Sequence, residues 1–587
     1  MSDRKKSRDL MKNWHELISK PIYEDMVTEI DVRIPMRDGI ILTGDVHRPK
    51  DDGKFPALLA YTPWGKDHEA IEERFPPQRR PNPLWDGSLE KGDTNYLVAR
   101  GYAHVVVDAR GTGKAEGEFG GFMGVGGATE GKDMHDVVEW IAAQPWCDGN
   151  VGMVGISYLG AAQVLAAAQQ PPHLKAIFPE GGHYDGYDWH YHGGIKWMMP
   201  RAALEGRGGD SGVMFTDPKK HDAYMKKTLS KEEFQRRIDE ALKDPDIANY
   251  PNYHQLLKYP DAFPLWIDVL LNPLNGDFYW GEIKPDERCR RIDIPVHFGV
   301  QLGRGWQFEE TVAAYLNVQG PKWIIIRPGP PMQERPWHEF HDEIVRWYDY
   351  WLKGIDTGIK DEPTMKIFVD GVKEWRYAKE WPLPEIQWTK FFLRTGNRLQ
   401  LDPEPYECKT APPDGFYQAP LTVTNTVNRL TYATHPLMND LEVIGPAALY
   451  LNAMIDTDDT NWIATVFDVD PSGKRSQVTN GFLKASHREI DESHSKPWAP
   501  HHTHTKAVPV PPGEIIEYPI VVYPLSHVFR KGHCMELEIK SLEGASEVNV
   551  MLPPESGHLN SARATTHKIF RDKEHKSYLL LPVIPAE

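Results

Sequence analysis

The chain has 587 residues, of which 40% are hydrophobic and 11% aromatic, and its formal net charge is −17. This length predicts two or three domains, and the composition is typical of a well-packed globular protein. The negative charge opposes non-specific attraction to phosphate backbones and anionic membranes, so we expect neither nucleic acid nor a membrane as a partner.

The four cysteines are scattered and lack C-x-x-C spacing, which predicts neither a zinc site nor a disulfide framework. The chain does not begin with an apolar run of signal-peptide type, and no stretch approaches the ~20 apolar residues of a membrane-spanning helix. We therefore expect a cytoplasmic protein without a metal or cofactor.

The N-terminal part alternates predicted strands with predicted helices. In chain order, the predicted elements are a short amphipathic helix at 11–28, strands at 29–35, 40–47, 56–62 and 103–108, a helix at 133–144, and strands at 151–154 and 174–179. This alternation predicts a largely parallel sheet with helices on both faces. In such sheets the chemistry lies at the carboxyl ends of the strands.

Residues 152–160 read Gly-Met-Val-Gly-Ile-Ser-Tyr-Leu-Gly, a serine between glycines where a strand would turn into an alanine-rich helix. One interpretation is structural, because small residues let a strand and a helix pack closely. The G-x-S-x-x-G spacing, in strand–turn–helix order, favours a second interpretation, in which the turn exposes Ser157 as a nucleophile. The backbone N–H of Tyr158, at the helix start, would then stabilise an oxyanion.

The pattern changes after residue 185. Residues 186–290 are helical and aromatic, which predicts a cap over the site. The sheet pattern resumes at 294–300 and 322–327, with a helix at 341–353. From residue 361, short β-type runs between Pro, Gly and Asp turns predict an antiparallel sandwich or jelly roll. We therefore predict an α/β fold with three domains: 1–185 together with 291–360, 186–290, and 361–587.

Five landmarks, spread over nearly the whole chain, carry a family resemblance. They are residues 32–44 (VRIPMRDGIILTG), 108–119 (DARGTGKAEGEF), 146–160 (WCDGNVGMVGISYLG), 347–354 (WYDYWLKG) and 440–446 (DLEVIGP). With them the chain resembles the CocE/NonD family of cocaine esterase, X-prolyl dipeptidyl peptidases and cephalosporin acylases. The resemblance implies an α/β-hydrolase domain, a helical cap and a C-terminal jelly roll, with a serine–histidine–aspartate triad that cleaves esters or amides.

The family's aspartate follows a strand of the form P-V-x-x-x-x-G-W-Y-D, and this chain departs from that pattern. Counting from the start of the strand puts Arg304 at the aspartate position, whereas aligning on the Gly-Trp pair at 305–306 puts Phe308 there. Glu309 lies one residue further, and Glu310 follows it. Neither alignment yields an aspartate.

The family's histidine belongs to a G-P-W-x-H segment after the next strand, which corresponds here to residues 327–341. Direct counting does not reach a histidine, but His338 follows a second Pro-Trp pair and His341 lies close behind. In one interpretation, one of the two glutamates and one of these histidines rebuild a triad. In the other, the acid–base relay is absent and Ser157 serves another chemistry.

Four further residues are candidates for the site. Relatives have an oxyanion-stabilising tyrosine where this chain has Trp64, whose indole N–H is a donor; packing beneath the cap is the alternative role. His183 and Trp189 belong to an aromatic cluster that lines the substrate pocket or hinges the cap, and His183 is a reserve candidate for the base. Arg304 would hold a carboxylate or an oxyanion of the substrate.

Two more groups of polar residues have structural interpretations. Asp108 and Arg110 are predicted to form a buried ion pair that shapes the loop beside the nucleophile. The histidine-rich segment 501–504 is predicted to be a solvated loop rather than a metal site, because it has no acidic or cysteine partner at helical spacing.

The leading hypothesis is a cofactor-free hydrolase in which Ser157 attacks the acyl carbonyl of a small, fairly apolar ester or amide. His338 would act as the base and Glu309 would orient it, while Tyr158 and Trp64 would stabilise the oxyanion. A second hypothesis changes the reaction to acyl transfer, carbon–carbon bond cleavage or a lyase step, and a third is a catalytically silent binding protein. The expected partner is a small-molecule substrate, and the sequence leaves a homo-oligomer open.

Overall fold

The computed structural model describes residues 14–70, 90–119, 129–197, 224–260, 264–281, 283–303, 305–329, 338–401, 412–544 and 557–586. Within these ranges the chain contains two large β-sheets. Helices cover the first sheet, and a helical segment follows one of its strands.

The first sheet has ten described strands, and a separate two-stranded hairpin, β7–β8, follows β6. In chain order the strands are β1 (Met26–Pro35), β2 (Ile41–Pro49), β3 (Phe55–Thr62), β4 (Ala103–Asp108), β5 (Cys147–Ile156), β6 (Leu174–Glu180), β7 (Tyr191–His192), β8 (Ile195–Lys196), β9 (Val296–Gln301), β10 (Lys322–Arg327), β11 (Met365–Val369) and β12 (Glu374–Ala378). Their spatial order is β1-β2-β4-β3-β5-β6-β9-β10-β11-β12.

The central strands of this sheet, from β4 through β3, β5, β6, β9 and β10 to β11, are parallel. Strand β3 is buried along its whole length, as expected for a parallel strand covered on both faces. Each strand predicted in this part is present, with ends that differ by a few residues. The sheet continues past residue 360 through β11 and β12, and the predicted domain boundaries stay predictions.

The described helices, in chain order, are α1 (Lys66–Glu69), α2 (Thr94–Val98), α3 (Glu130–Ala142), α4 (Tyr158–Ala167), α5 (Gly186–His190), α6 (Tyr224–Thr228), α7 (Lys231–Ala241), α8 (Pro245–Ala248), α9 (Pro251–Lys258), α10 (Pro264–Leu270), α11 (Asp277–Trp280), α12 (Pro285–Arg290), α13 (Gly305–Asn317) and α14 (His338–Trp351). Helices α6 to α10 share a small apolar core, to which Leu559 of the C-terminal part also belongs. No helix within the described ranges is long and apolar enough to cross a membrane.

The helix predicted at 11–28 is wrong within the described residues. From residue 14 onward the structure has only a single 3₁₀ turn, Trp14–Glu16, and Met26 already pairs in β1. Pro21 explains the difference, because proline lacks an N–H donor and disfavours helical geometry at the residue before it.

The second sheet contains eleven described strands. They are β13 (Gln387–Arg394), β14 (Arg398–Gln400), β15 (Asp414–Gln418), β16 (Arg429–Ala433), β17 (Leu441–Ile455), β18 (Asn461–Val469), β19 (Arg475–Lys484), β20 (Ile516–Phe529), β21 (Cys534–Lys540), β22 (Thr565–Ile569) and β23 (Tyr578–Ile584). Their order is β15-β22-β17-β20-β19-β18-β21-β16-β14-β13-β23, and β23 also pairs with β17. This last pairing closes the strands from β17 to β23 into a barrel, and β22 and β15 extend from β17.

The predicted ion pair between Asp108 and Arg110 is wrong. The Arg110 guanidinium instead pairs with Asp133, 2.5 Å away, and with Asp38. The Asp108 carboxylate accepts hydrogen bonds from the backbone N–H groups of Lys66 and Lys114, and burial raises its pKa to about 6. Asp108 therefore shapes the loop through the backbone rather than through an arginine.

The prediction of a solvated loop at 501–504 is wrong for two of its histidines. His502 and His504 are both buried, and His502 Nε2 lies 2.7 Å from the carbonyl oxygen of Pro519. His504 stacks with Tyr187 at a centroid distance of 5.3 Å. Ring packing against Tyr187 explains the burial of His504, and the contact with Pro519 of β20 explains that of His502; the sequence pattern revealed neither.

Candidate active site

Ser157 occupies the turn between β5 and α4 with φ 59° and ψ −120°. This is a left-handed conformation that a non-glycine residue adopts only where its surroundings enforce it. The Ser157 N–H donates to the carbonyl of Glu180 at the end of β6 (3.0 Å), and its own carbonyl accepts from the N–H of Ala161. The predicted strand–turn–helix context is confirmed.

Two glycines give this turn the space it needs. A Cβ at Gly155, whose φ is 147°, would lie 2.2 Å from Leu159 Cβ, and a Cβ at Gly160 would lie 2.6 Å from the carbonyl oxygen of Glu180. Side chains at either position would force the turn apart. Steric crowding therefore explains why both positions of the motif are glycine. The serine between them is held at the end of its strand.

Tyr158 is the first residue of α4. The N–H of a first helical residue has no acceptor within its own helix and points back toward the preceding turn, at the positive end of the helix dipole. Its phenol is buried, and burial raises the pKa of Tyr158 well above its usual value. The backbone, rather than the phenol, is therefore the part of Tyr158 suited to an oxyanion.

The indole N–H of Trp64 donates to Glu90 Oε2 at 2.9 Å. The carbonyl of Glu90 in turn accepts from the N–H of Ile156, the residue before Ser157. Trp64 thus lies beside the strand that carries Ser157, but its indole N–H is already hydrogen-bonded to the Glu90 carboxylate. An oxyanion role for Trp64, which stays a prediction, requires that this hydrogen bond be exchanged.

Helix α13 is attached to the loop that follows β6. Gln307 Nε2 donates to the carbonyl of Gly181 (2.9 Å), and the backbone N–H of Tyr184 donates to Glu310 Oε2 (2.8 Å). Glu310 is therefore used in holding the loop. Its neighbour Glu309 is only partly exposed, and burial raises the pKa of Glu309 to about 7.

His183 is 7% exposed and lies between two indole rings. Its ring centroid is 4.7 Å from that of Trp306 and 5.1 Å from that of Trp189, with nearly parallel planes. The predicted grouping of His183 with Trp189 is thus present, as a stacked aromatic wall after β6. This stacking explains why His183 is buried. A catalytic role for His183 stays a prediction.

Of the two candidate histidines of α14, the structure describes the side chain of His341 but not that of His338. His341 is 1% exposed, and its Nε2 accepts the backbone N–H of Asp93 (2.8 Å), just before α2. That bond makes His341 a structural residue. His338 begins α14, but its side chain lies outside the described residues, as does Arg304.

Sequence reasoning missed a buried charge cluster at the strand ends. The Glu180 carboxylate lies 3.1 Å from Arg327 Nε, and Arg327 Nη2 lies 2.5 Å from Glu343 on α14. A Cβ at Gly299 would lie 1.7 Å from Glu180 Oε2, so only glycine fits there. The backbone carbonyl of Glu180 thus accepts the Ser157 N–H. The Glu180 side chain pairs with Arg327, the last residue of β10.

No group of three or more histidine, cysteine, aspartate or glutamate side chains is arranged to hold a metal ion among the residues with assigned positions. The functional groups of this region are a serine at a helix N-terminus, the buried carboxylate of Glu180 and the stacked aromatic rings after β6.

Comparison with known proteins assigns the chain to one family. Residues 38–331 match the X-Pro dipeptidyl-peptidase (S15) family, and residues 357–580 match the X-Pro dipeptidyl-peptidase C-terminal non-catalytic domain. Cocaine esterase from Rhodococcus sp. (strain MB1 Bresler) is 26% identical, covering 94% of this chain and 98% of the esterase. A putative Xaa-Pro dipeptidyl-peptidase from Bacillus anthracis is 23% identical, covering 92% and 87%.

A solved structure shares the fold over nearly the whole length. The CocE/NonD family hydrolase from Staphylococcus aureus has a TM-score of 0.73 and 22% identity, and the match covers 96% of this chain and 94% of that one. The predicted CocE/NonD resemblance is confirmed, and so is the prediction of a hydrolase.

Replacing Arg327 by Met should lower the free energy of unfolding by about 3–5 kcal/mol, because Glu180 would stay buried without its cation and Glu343 would keep only Lys366, 3.9 Å away. The measurement is the thermal unfolding temperature. The matched control is Arg236→Met, which removes an arginine paired with Glu233 and Glu240 on the exposed face of α7 and should leave that temperature unchanged. Equal, small shifts for both variants would contradict this account of the cluster.

Proposed function

Because this chain belongs to the S15 family of X-Pro dipeptidyl-peptidases and is a hydrolase, we propose that Ser157 is the nucleophile that opens an ester or amide bond. The observation that carries this proposal is the left-handed turn at Ser157, held between β5 and α4. Attack of Oγ on the acyl carbonyl forms an acyl-enzyme, which water then hydrolyses. The Tyr158 N–H stabilises the oxyanion.

The strand order supports an α/β-hydrolase sheet. Its first six strands run β1-β2-β4-β3-β5-β6, and the nucleophile follows the fifth, which is the nucleophile-elbow position of that fold. In this proposal residues 186–290 form the cap, and residues 361–587 form a jelly-roll domain. The closed sheet of β13 to β23 supports a β-rich C-terminal domain of this kind.

For the acid–base partners we keep His338 as the base and Glu309 as the carboxylate that orients it. Helix α13, which carries Glu309, follows β9, and α14, which begins at His338, follows the neighbouring strand β10. Both helices therefore start at the same edge of the sheet as Ser157. His338 takes the serine proton and returns it to the leaving group, while ionised Glu309 stabilises the imidazolium.

The substrate we propose is small and fairly apolar. The stacked wall of His183, Trp189 and Trp306 supports an apolar pocket beside the β6 loop, and Arg304 would hold an anionic group of the substrate. The names of the relatives include both an esterase and a dipeptidyl-peptidase, so ester and amide substrates are both candidates.

A second candidate function keeps Ser157 but changes the reaction to acyl transfer, carbon–carbon bond cleavage or a lyase step. Phe308 favours it, since one alignment puts this residue at the family's aspartate position. Phe308 is 1% exposed and packs against Trp381 at 5.7 Å. An apolar residue at that position supplies no carboxylate to orient a base.

Replacing Ser157 by Ala should lower kcat/KM for p-nitrophenyl acetate by at least about 10³-fold, because the acyl-enzyme can no longer form. The measurement is release of p-nitrophenolate. Ser472→Ala is the control, since Ser472 lies in an exposed turn and its backbone N–H and hydroxyl donate to Asp470 nearby; it should retain full activity. Unchanged turnover in the Ser157 variant would exclude this serine as the nucleophile.

Replacing Glu309 by Gln should make the rise of kcat/KM with pH less steep, because the carboxyl with a pKa of about 7 is gone and only the His338 base still titrates. The ionised form of Glu309 increases as pH rises through this value, so activity of the unaltered enzyme should rise there as well. The measurement is a pH profile for both proteins. In Glu310→Gln the rise should persist, because Glu310 holds the Tyr184 amide; loss of the rise in Glu310→Gln alone would reverse the assignment.

A further inference from the structure

Two buried histidines and a partly buried glutamate form a continuous line of hydrogen-bonded side chains. Glu543 Oε2 lies 2.9 Å from His558 Nδ1, and His558 Nε2 lies 2.8 Å from His192 Nδ1. His192 belongs to β7, in the hairpin after α5, whereas Glu543 and His558 come from the C-terminal part of the chain. The line therefore crosses the junction between these two regions.

The backbone holds this junction in register. Trp197 forms a β-bridge with His558, and the N–H of Leu559 donates to the carbonyl of Lys196 (2.8 Å). The His558 N–H also donates to Glu543 Oε2. The three side chains consequently have fixed positions relative to one another.

The hydrogen bonds determine where the protons lie. Burial raises the pKa of Glu543, but its contacts with His558 outweigh that effect and lower the pKa to about 2. The ionised carboxylate only accepts, so His558 Nδ1 carries a proton, and in a neutral ring His558 Nε2 carries a lone pair. His192 Nδ1 then donates to that lone pair. His192 Nε2 is left with a lone pair of its own.

This last lone pair is buried. His192 is 3% exposed, and its Nε2 has no hydrogen-bond partner among the described residues. Burial keeps the pKa of His192 well below its usual value, so the ring stays neutral. A buried acceptor without a donor is destabilising.

Aromatic rings surround His192. Their centroids lie at 4.6 Å (Trp197), 5.5 Å (Trp306), 5.8 Å (Phe482) and 6.2 Å (Tyr523) from its own. Trp306 also stacks on His183, which joins this aromatic cage to the wall beside the β6 loop. Flat apolar groups suit such rings, and His192 Nε2 adds one directional acceptor.

We propose that His192 Nε2 is the polar anchor of a binding subsite for a flat, apolar group that carries one hydroxyl or N–H donor, as in a phenol. Glu543 and His558 are positioning residues that hold His192 in the accepting tautomer. The subsite goes beyond the proposed function, because binding there does not require Ser157 to be a nucleophile.

Isothermal titration of the Ser157→Ala protein with phenol and with anisole tests the subsite. The two probes share a ring, but only phenol donates. Phenol should bind about tenfold more tightly than anisole, the effect of one directional hydrogen bond. Using Ser157→Ala separates this test from the proposed function, since neither titration depends on turnover.

Three further replacements, each made in the Ser157→Ala protein, test whether His192 causes the preference for phenol over anisole. His192→Phe keeps an aromatic ring but removes the acceptor, so the affinity ratio of phenol to anisole should fall to about one. Glu543→Gln lets an amide N–H donate to His558 Nδ1, which permits the reversed tautomers, and the ratio should also fall. His190→Phe, a neighbouring buried histidine outside the line, should keep the preference.

Equal binding of phenol and anisole in the starting protein, absence of phenol binding, or a preference that persists in His192→Phe would each overturn the proposal. If His192→Phe fails to fold, Glu543→Gln decides, since it leaves every ring of the aromatic cage in place. An unchanged affinity ratio of phenol to anisole in Glu543→Gln would then overturn the proposal that Glu543 and His558 position His192.

Discussion

The hydrogen bond from the Ser157 N–H to the carbonyl of Glu180 connects the Ser157 turn to the rest of the molecule. It fixes the left-handed serine against β6, and the glycines at 155 and 160 leave the room that this close approach needs. The Glu180 side chain extends the link to Arg327 at the end of β10. One residue thus joins the serine to the last residue of β10, so the Ser157 turn and the end of β10 share a support.

The parts of this structure that depend on local sequence were predictable. The turn at Ser157 follows from a spacing within nine residues, and fully buried runs such as β3 identify the sheet. The helix expected at 11–28 was wrong because one proline, Pro21, outweighs an amphipathic pattern. Within short segments, residue type and spacing carry most of the information about structure.

Interactions between distant parts of the chain were not predictable in the same way. Arg110 pairs with Asp133 rather than with Asp108, and Glu180 meets an arginine that lies far along the sequence. The donor of Trp64 is engaged by Glu90. Each of these pairings depends on which strands and loops become neighbours, and periodicity in one sequence does not contain that information. The same limit applies to the line from Glu543 to His192.

The central claim is that Ser157 is an activated nucleophile in a hydrolase whose remaining triad positions have changed. Treatment of the folded protein with a fluorophosphonate, followed by mass spectrometry of its peptides, tests it most directly. The account predicts one covalent adduct, on Ser157, since only an activated serine displaces fluoride at an appreciable rate. An unlabelled Ser157, or an adduct on another residue, would contradict it and favour the alternative reactions.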